Sequence, residues 1–240
     1  MTFSIWEFIL ILGEKHPQMA LKINNEGAHN VLELARKNKL KVFTPSTIAV
    51  FGPGTPKENT PDDCIMRPVT MYGITKVHTE LLGEYYHRHF GVDFRSLRYP
   101  GVVSAKAMPG GGTTDYAVEI YHEALVNGCY TCFLGEDTML PMIYMPDLIR
   151  ATVDFIDADP SLLSRRVYNI GAMSFTPKEL SSSIQKSLPD FRVSYQPDFR
   201  QIIADTWPEK IDYCLATNDW GWSPQYDINA MTREMLETLS

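Results

Sequence analysis

The side chains of this chain best placed for chemistry are a tyrosine and a lysine four positions apart, Tyr72 and Lys76. A separation of four places two side chains one turn apart on the same face of a helix. The ordinary pKa of a tyrosine is about 10, and a nearby ammonium group favours the phenolate and lowers that pKa. Such a tyrosine can remove the proton of an alcohol while a nicotinamide ring accepts hydride from the same carbon. The pair therefore indicates oxidation of an alcohol.

Two hydroxyl side chains, those of Ser46 and Thr47, precede this pair. Residues 41–43 have the composition of a short strand that leads into residues 44–47, and the prolines and glycine of residues 53–61 mark a loop. From Tyr72 onward, apolar residues at spacings of three and four predict a helix that ends at Gly91. Its apolar positions are Ile74, Val77, Leu81, Leu82 and Tyr85. The hydroxyl of Thr47, or that of Ser46, can hold the substrate oxygen against the phenol.

A second helix is predicted over residues 17–39, where small and apolar side chains recur on one stripe. That stripe consists of Ala20, Ile23, Gly27, Val31, Leu34 and Ala35. We expect Asn24 to face the sheet from this helix, where an amide is costly unless it is hydrogen-bonded. Two interpretations stay open: Asn24 supports a water or the lysine in a proton relay, or backbone groups satisfy its amide.

Composition narrows the function classes. The chain has 240 residues, of which 44% are hydrophobic and 21% charged, as in an ordinary soluble globular protein. A net charge of −7 without a dense Lys/Arg cluster argues against nucleic acid as a partner. The apolar segment Met1–Leu12 is too short to span a bilayer and lacks the basic residues of a targeting peptide, so we expect a buried strand or a non-native chain start, and no membrane partner.

Cys129 and Cys132 have the spacing of a metal or redox pair. A second pair is absent from the sequence, and His87 and His89 are remote from these cysteines. We therefore predict reduced thiols and no metal site.

Several motifs occur together in one order along the chain. They include Phe43-Thr-Pro-Ser-Thr-Ile-Ala-Val-Phe-Gly-Pro53, Tyr72-Gly-Ile-Thr-Lys76, Arg98-Tyr-Pro-Gly101, Ala107-Met-Pro-Gly-Gly-Gly-Thr-Thr-Asp-Tyr-Ala117 and Asp219-Trp-Gly-Trp222. Over about residues 13–240 the chain resembles the extended short-chain dehydrogenases, and among them the short-chain L-threonine 3-dehydrogenases. This resemblance implies an α/β fold, with a Rossmann-like parallel sheet and a small C-terminal substrate lobe.

The resemblance also implies how the chain is divided. Residues 1–160 would form a partial NAD(P)-binding domain that lacks its first βαβ units, with a small substrate-loop insertion near residues 105–145. Residues 161–240 would form the C-terminal substrate-lobe segment.

The resemblance assigns roles to individual residues. Tyr72 would be the base, and Lys76 its partner on the nicotinamide ribose. Thr47, with Ser46, would hold the substrate hydroxyl, and Asn24 matches the helix asparagine of the family. Val102 would lie against the nicotinamide, and the substrate would face a loop whose members are Gly111, Thr113, Thr114 and Asp115. The composition of this loop agrees, because glycines allow a close approach to a small ligand and a carboxylate can pair with an ammonium group.

The activity implied is the oxidation of L-threonine at C3 by NAD to 2-amino-3-ketobutyrate, a step of threonine catabolism. In this family a glycine-rich loop in the first βαβ unit holds NAD, and the sequence contains no G-x-G-x-x-G. We therefore expect an N-terminally truncated, inactive pseudoenzyme with doubtful NAD binding. The alternatives are an active sugar-nucleotide epimerase or dehydratase relative, and a non-catalytic binding remnant.

The resemblance has two further implications. The family location is mitochondrial, with the cytoplasm as the alternative because the chain shows no targeting peptide. The helices of Asn24 and Tyr72 are the pair that many relatives use for a homodimer.

Overall fold

The computed structural model describes residues 10–240, with side chains from residue 13 onward. The expectation of a buried strand at the N-terminus therefore falls largely outside the described residues. The helices are α1 (Leu10–Lys15), α2 (Pro17–Asn38), α3 (Met71–Phe90), α4 (Tyr116–Val126), α5 (Met145–Asp157), α6 (Pro177–Gln185), α7 (Phe199–Ala204), α8 (Cys214–Trp220) and α9 (Ile228–Leu239). The strands are β1 (Val42–Thr47), β2 (Phe94–Tyr99), β3 (Gly101–Val103), β4 (Cys129–Cys132), β5 (Leu140–Tyr144), β6 (Val167–Asn169), β7 (Met173–Phe175) and β8 (Arg192–Tyr195).

The two long helices predicted from the sequence are confirmed. Helix α2 has Pro17 in its first turn, where a missing backbone N–H costs nothing. At the start of α3, the side chain of Thr70 accepts a hydrogen bond from the backbone N–H of Gly73, and the helix ends at Gly91 in the left-handed conformation (φ 68°). Local capping therefore defines both ends of α3, the helix that positions Tyr72.

The central sheet has the order β1-β2-β6, and both of its strand pairs are parallel. Helices α2 and α3 pack on one face of this sheet, and α5 and α8 pack on the other. The predicted strand of residues 41–43 continues further than expected, because residues 44–47 stay extended and pair with β2 through Thr47. Parallel strands present their carboxyl ends at one edge, where ligands of open α/β sheets bind.

Two smaller sheets complete the chain. Strands β3 and β5 are parallel and β7 joins β5 antiparallel, while β4 and β8 form a parallel pair. Helices α4, α6 and α9 pack on one another beside β4. The predicted α/β fold with parallel sheets is confirmed.

The proposed division at residue 160 stays a prediction, although β6 (Val167–Asn169) pairs with β2 of the central sheet. Among the helices of residues 10–240, none has both the length and the apolar character needed to cross a membrane.

Candidate active site

The side chains of Tyr72 and Thr47 come together at the carboxyl end of β1, where the Thr47 hydroxyl favours the phenolate form of Tyr72. Thr47 is the last residue of β1, and its side-chain oxygen also accepts from the backbone N–H of Ala49 at 3.2 Å. This bond caps the short 3₁₀ helix Ile48–Val50 and orients the threonine. Tyr72 is the second residue of α3, so a strand end and a helix start bring the two hydroxyls together.

Burial dominates the acidity of the phenol. It raises the pKa of Tyr72 to about 12, although the Thr47 hydroxyl acts in the opposite direction. The net shift is opposite to the one expected from the neighbouring lysine, because desolvation disfavours the phenolate.

Lys76 lies one turn further along α3 and is 3% exposed. Its Nζ lies 5.4 Å from the centre of the Tyr72 ring and donates a hydrogen bond to the backbone carbonyl of Pro45. Burial lowers the pKa of Lys76 to about 7, and the carboxylate of Glu80 partly opposes that shift. Near neutral pH the amine is therefore balanced between its charged and uncharged forms.

Asn24 is buried in α2 and reaches α3 through a side chain. Its Nδ2 donates to the Thr75 hydroxyl at 2.9 Å, and that hydroxyl donates to the backbone carbonyl of Tyr72 at 2.9 Å. The amide thus supports the first turn of α3 through Thr75. Its role in a proton relay stays a prediction.

Ser46 and Thr47 point in different directions because successive side chains of a strand alternate. The hydroxyl of Ser46 donates to the carboxylate of Glu80 in the interior. Thr47 is therefore the hydroxyl that the structure places on Tyr72. A substrate contact by Ser46 stays a prediction.

The glycine loop is closed by the carboxylate that was predicted to bind an ammonium group. Oδ2 of Asp115 accepts hydrogen bonds from the backbone N–H groups of Gly110 at 2.7 Å and Gly112 at 2.8 Å. Gly111 takes the left-handed conformation (φ 92°), which suits a residue without a side chain. Asp115 therefore shapes the loop, and its pairing with a substrate ammonium group stays a prediction.

This loop lies against β3, the strand that carries Val102. A Cβ added at Gly101 would stand 2.7 Å from Cγ2 of Thr114, so this close approach requires a glycine. Thr113 is 2% exposed, and its hydroxyl has no hydrogen-bond partner within residues 10–240. The structure thus places the predicted substrate loop next to the predicted nicotinamide contact.

Two charged residues of the site escaped prediction. Glu80 follows Lys76 by one turn on the same face of α3, and its carboxylate binds the guanidinium of Arg98 with a shortest distance of 2.8 Å. The signal that could have revealed Glu80 is this repeat of four, since a residue so placed must share the face of Tyr72 and Lys76. Arg98 begins the motif Arg98-Tyr-Pro-Gly101, but the resemblance assigned it no role in the site.

Metal chemistry has no support in the described residues, which hold no cluster of His, Cys, Asp or Glu able to bind an ion. All four cysteines are free. Cys129 is exposed and Cys132 is buried, because they lie on opposite faces of β4.

The residues present are of the kinds that one half of a dinucleotide needs. Thr47 ends β1 at the carboxyl edge of the parallel sheet, the usual place for a nicotinamide and its ribose, and Tyr72 and Lys76 reach this end of β1 from α3. A strand-to-helix turn with the spacing G-x-G-x-x-G, which would cradle a diphosphate, does not occur in residues 10–240; the glycine loop between β3 and α4 has a different spacing.

Comparison with known proteins gives the family. Residues 12–171 match the family described as "NAD dependent epimerase/dehydratase family". An uncharacterised epimerase/dehydratase from Staphylococcus saprophyticus is 49% identical over 228 residues, which cover 94% of this chain and 71% of that protein.

Two similar proteins are described as threonine dehydrogenases. The mitochondrial L-threonine 3-dehydrogenase of Bos taurus is 50% identical over 226 residues, which cover 94% of this chain and 61% of that protein. The chain thus spans about three fifths of the length of this relative. The crystal structure of L-threonine dehydrogenase from Phytophthora infestans has 57% identity and a TM-score of 0.98, and the match covers 99% of this chain and 78% of the other.

Proposed function

The chain belongs to the NAD dependent epimerase/dehydratase family, and from that premise we propose that it carries the substrate-binding and proton-transfer part of an L-threonine 3-dehydrogenase. The observation that carries the proposal is the position of Thr47 beside Tyr72, with the buried Lys76 one turn further along α3. The similarity to the threonine dehydrogenases of Bos taurus and Phytophthora infestans supports the choice of substrate.

In the proposed reaction, Thr47 holds the C3 hydroxyl of L-threonine against the phenol of Tyr72. The phenolate form of Tyr72 accepts the hydroxyl proton and becomes the neutral phenol, and the ammonium form of Lys76 favours that phenolate. NAD, when bound, supplies the acceptor for the hydride that leaves C3. The organic product is 2-amino-3-ketobutyrate. Lys76 must carry its proton to help, and its pKa of about 7 makes that protonation sensitive to its surroundings.

The glycine loop is the proposed contact for the amino-acid end of the substrate. Gly111 allows a ligand to approach the backbone, Thr113 and Thr114 offer hydroxyls, and Asp115 holds the loop closed. The buried Thr113 hydroxyl without a described partner supports this assignment, because an unsatisfied polar group inside a protein is costly.

The proposal also predicts how a polypeptide of these 240 residues alone binds NAD and acts on L-threonine. Because no G-x-G-x-x-G occurs among them, we expect weak NAD binding and no threonine oxidation. Titration with NAD by calorimetry tests this part. Micromolar binding together with threonine-dependent NADH formation would show that the polypeptide is an active enzyme.

A chimera tests the site itself. The part of the Phytophthora infestans enzyme that precedes the residue matched to Gly13 is fused before Gly13. We expect the chimera to form NADH in the presence of L-threonine and not of L-serine, which lacks the methyl group on C3. A chimera that binds NAD and folds but oxidises no L-threonine would contradict the proposed function.

The outer surface of α3 supports a homodimer as the assembly. Ile74, Leu81 and Tyr85 recur at helical spacing, and about half of each side chain is exposed. Contiguous exposed apolar groups commonly mark an interaction surface, and soluble homo-oligomers most often form symmetric pairs. We name these three residues the α3 outer stripe.

The location of the protein is a separate part of the proposal. The relative from Bos taurus is described as mitochondrial, which supports a mitochondrial location for this protein. Fractionation of cells tests it, and recovery in the cytosolic fraction alone would contradict it.

A further inference from the structure

Tyr72, Lys76 and Glu80 follow one another at intervals of one turn along the inner face of α3. Lys76 is 3% exposed and Glu80 is 2% exposed. Carboxylates and amines are almost never fully buried unless they are paired. The stripe thus continues past the two residues that the proposed mechanism uses, and its third member has no role in that mechanism.

Glu80 is held from two strands. Nε of Arg98 donates to its carboxylate at 3.0 Å and Nη2 donates at 2.8 Å, while the hydroxyl of Ser46 donates from β1. Ser46 and Arg98 are direct neighbours in the parallel pairing of β1 with β2. The sheet therefore fixes the carboxylate in one position against α3.

Arg98 is itself fixed by groups beyond the helix. Its Nη1 donates to the backbone carbonyl of Asp62 at 2.8 Å and to Oδ1 of Asn169 at 3.2 Å. Its guanidinium lies 5.4 Å from the centre of the Phe51 ring. Because several groups hold the guanidinium of Arg98 in place, it can anchor the carboxylate of Glu80.

The polar and titratable groups of this cluster come from four parts of the chain. Lys76 faces Tyr72 and Glu80 on its own helix and the carbonyl of Pro45 on β1. Behind Glu80 lies Arg98 of β2, which is influenced in turn by Asp62 and Cys64 of the loop before α3. The electrostatic influence of Glu80 favours the charged amine of Lys76, against the effect of burial.

We infer that Glu80 is a positioning residue whose carboxylate keeps the Lys76 amine in its ammonium form beside Tyr72. The inference rests on the proposed function and deepens it, because only the ammonium form can stabilise a phenolate. Arg98 and Ser46 serve by holding the carboxylate, and they do not contact the reacting groups. Glu80 acts through Lys76 and touches neither substrate nor phenol.

The test is a direct titration of the Lys76 amine. The 240-residue chain is labelled with ¹³C at the lysine Cε atoms, and the signal of Lys76 is identified by its loss in Lys76→Arg. In Glu80→Gln, which keeps the size of the side chain, we expect the proton affinity of Lys76 to fall by about tenfold or more. Glu84→Gln, one turn further on the same helix and partly exposed, is the matched control and should leave the titration midpoint unchanged.

An unchanged Lys76 midpoint in folded Glu80→Gln overturns the inference, since a merely structural Glu80 predicts that result. If the single variant does not fold, Glu80→Gln/Arg98→Met takes its place, because removing both members of a buried ion pair is often tolerated. A midpoint at or above that of the wild type in this double variant also overturns the inference. The titration needs neither NAD nor L-threonine, so its outcome is independent of the activity assay.

Discussion

At the scale of single residues, the site combines groups that the sequence reveals with groups that it hides. Tyr72, Lys76 and Thr47 could be predicted because a spacing of four and an upstream hydroxyl are visible in the sequence. Glu80 was missed although it repeats the spacing of four, because a glutamate on a helix usually lies at the surface. Its burial follows from contacts with Ser46 and Arg98, which come from two different strands.

The buried amine of Lys76 gives a prediction for stability against pH. Its pKa falls from 10.5 to about 7 on folding, so between these values the unfolded chain binds more protons than the folded chain. The contribution of Lys76 to stability therefore rises with pH across this window. We expect Lys76→Met to be more stable than the wild type near pH 7, by on the order of 2 kcal/mol, and to lose that advantage toward pH 10.

Urea unfolding at several pH values measures this difference. Lys22→Met, which removes an exposed lysine from α2, is the control and should show no such dependence. A Lys76→Met advantage that grows with pH would contradict the prediction.

At the scale of elements, helix boundaries were predictable and helix faces were not. Capping residues and turn formers act locally, which is why α2 and α3 begin and end close to the predicted positions. The predicted apolar stripe of α2 was partly wrong, because Ile23 and Leu34 are exposed. Asn24, which we predicted to face the sheet, is buried. In α3 the buried face is largely polar, since the site occupies it.

Helix α4 allows a matched test of two buried tyrosines. Both are fully buried, but the hydroxyl of Tyr121 is hydrogen-bonded to Thr232 at 2.9 Å, whereas that of Tyr116 has no partner in the described residues. Removing a paired hydroxyl loses its hydrogen bond, although Thr232 keeps the one that it accepts from Ser183, and removing an unpaired hydroxyl relieves a desolvation cost. We expect Tyr121→Phe to lower the free energy of unfolding by about 1 kcal/mol and Tyr116→Phe to leave it unchanged or raise it.

Thermal and urea unfolding of the two variants beside the wild type check this order. Equal losses of stability in both variants would contradict the assigned hydrogen bonds.

At the scale of the whole molecule, the sequence predicted the α/β class, but it did not predict which residues after position 160 return to the central sheet. Strand β6 is three residues long, and its pairing with β2 depends on contacts remote in sequence. The glycine loop was recognisable from its composition. Its closure by Asp115 was not, because a carboxylate can equally bind a ligand or a backbone.

The α3 outer stripe predicts the behaviour of the molecule in solution. Leu81→Glu places a charge at its centre, where association would bury it, so we expect the dimer to dissociate at least tenfold more readily while the fold is retained. Analytical ultracentrifugation measures the dissociation constant. Val126→Glu changes a side chain of α4 that is 79% exposed and should leave association unchanged. A wild-type chain that is monomeric at high concentration would contradict the proposed homodimer.

The central claim is that Tyr72 accepts the proton of the substrate hydroxyl. The most direct measurement is the rate of threonine oxidation by the chimera with and without the hydroxyl group of Tyr72. We expect Tyr72→Phe to lower kcat by about 100-fold to 10,000-fold, the usual contribution of a general base, with little change in NAD affinity. Tyr85→Phe, on the exposed side of the same helix, should retain the full rate. Equal kcat values for Tyr72→Phe and Tyr85→Phe would contradict the account.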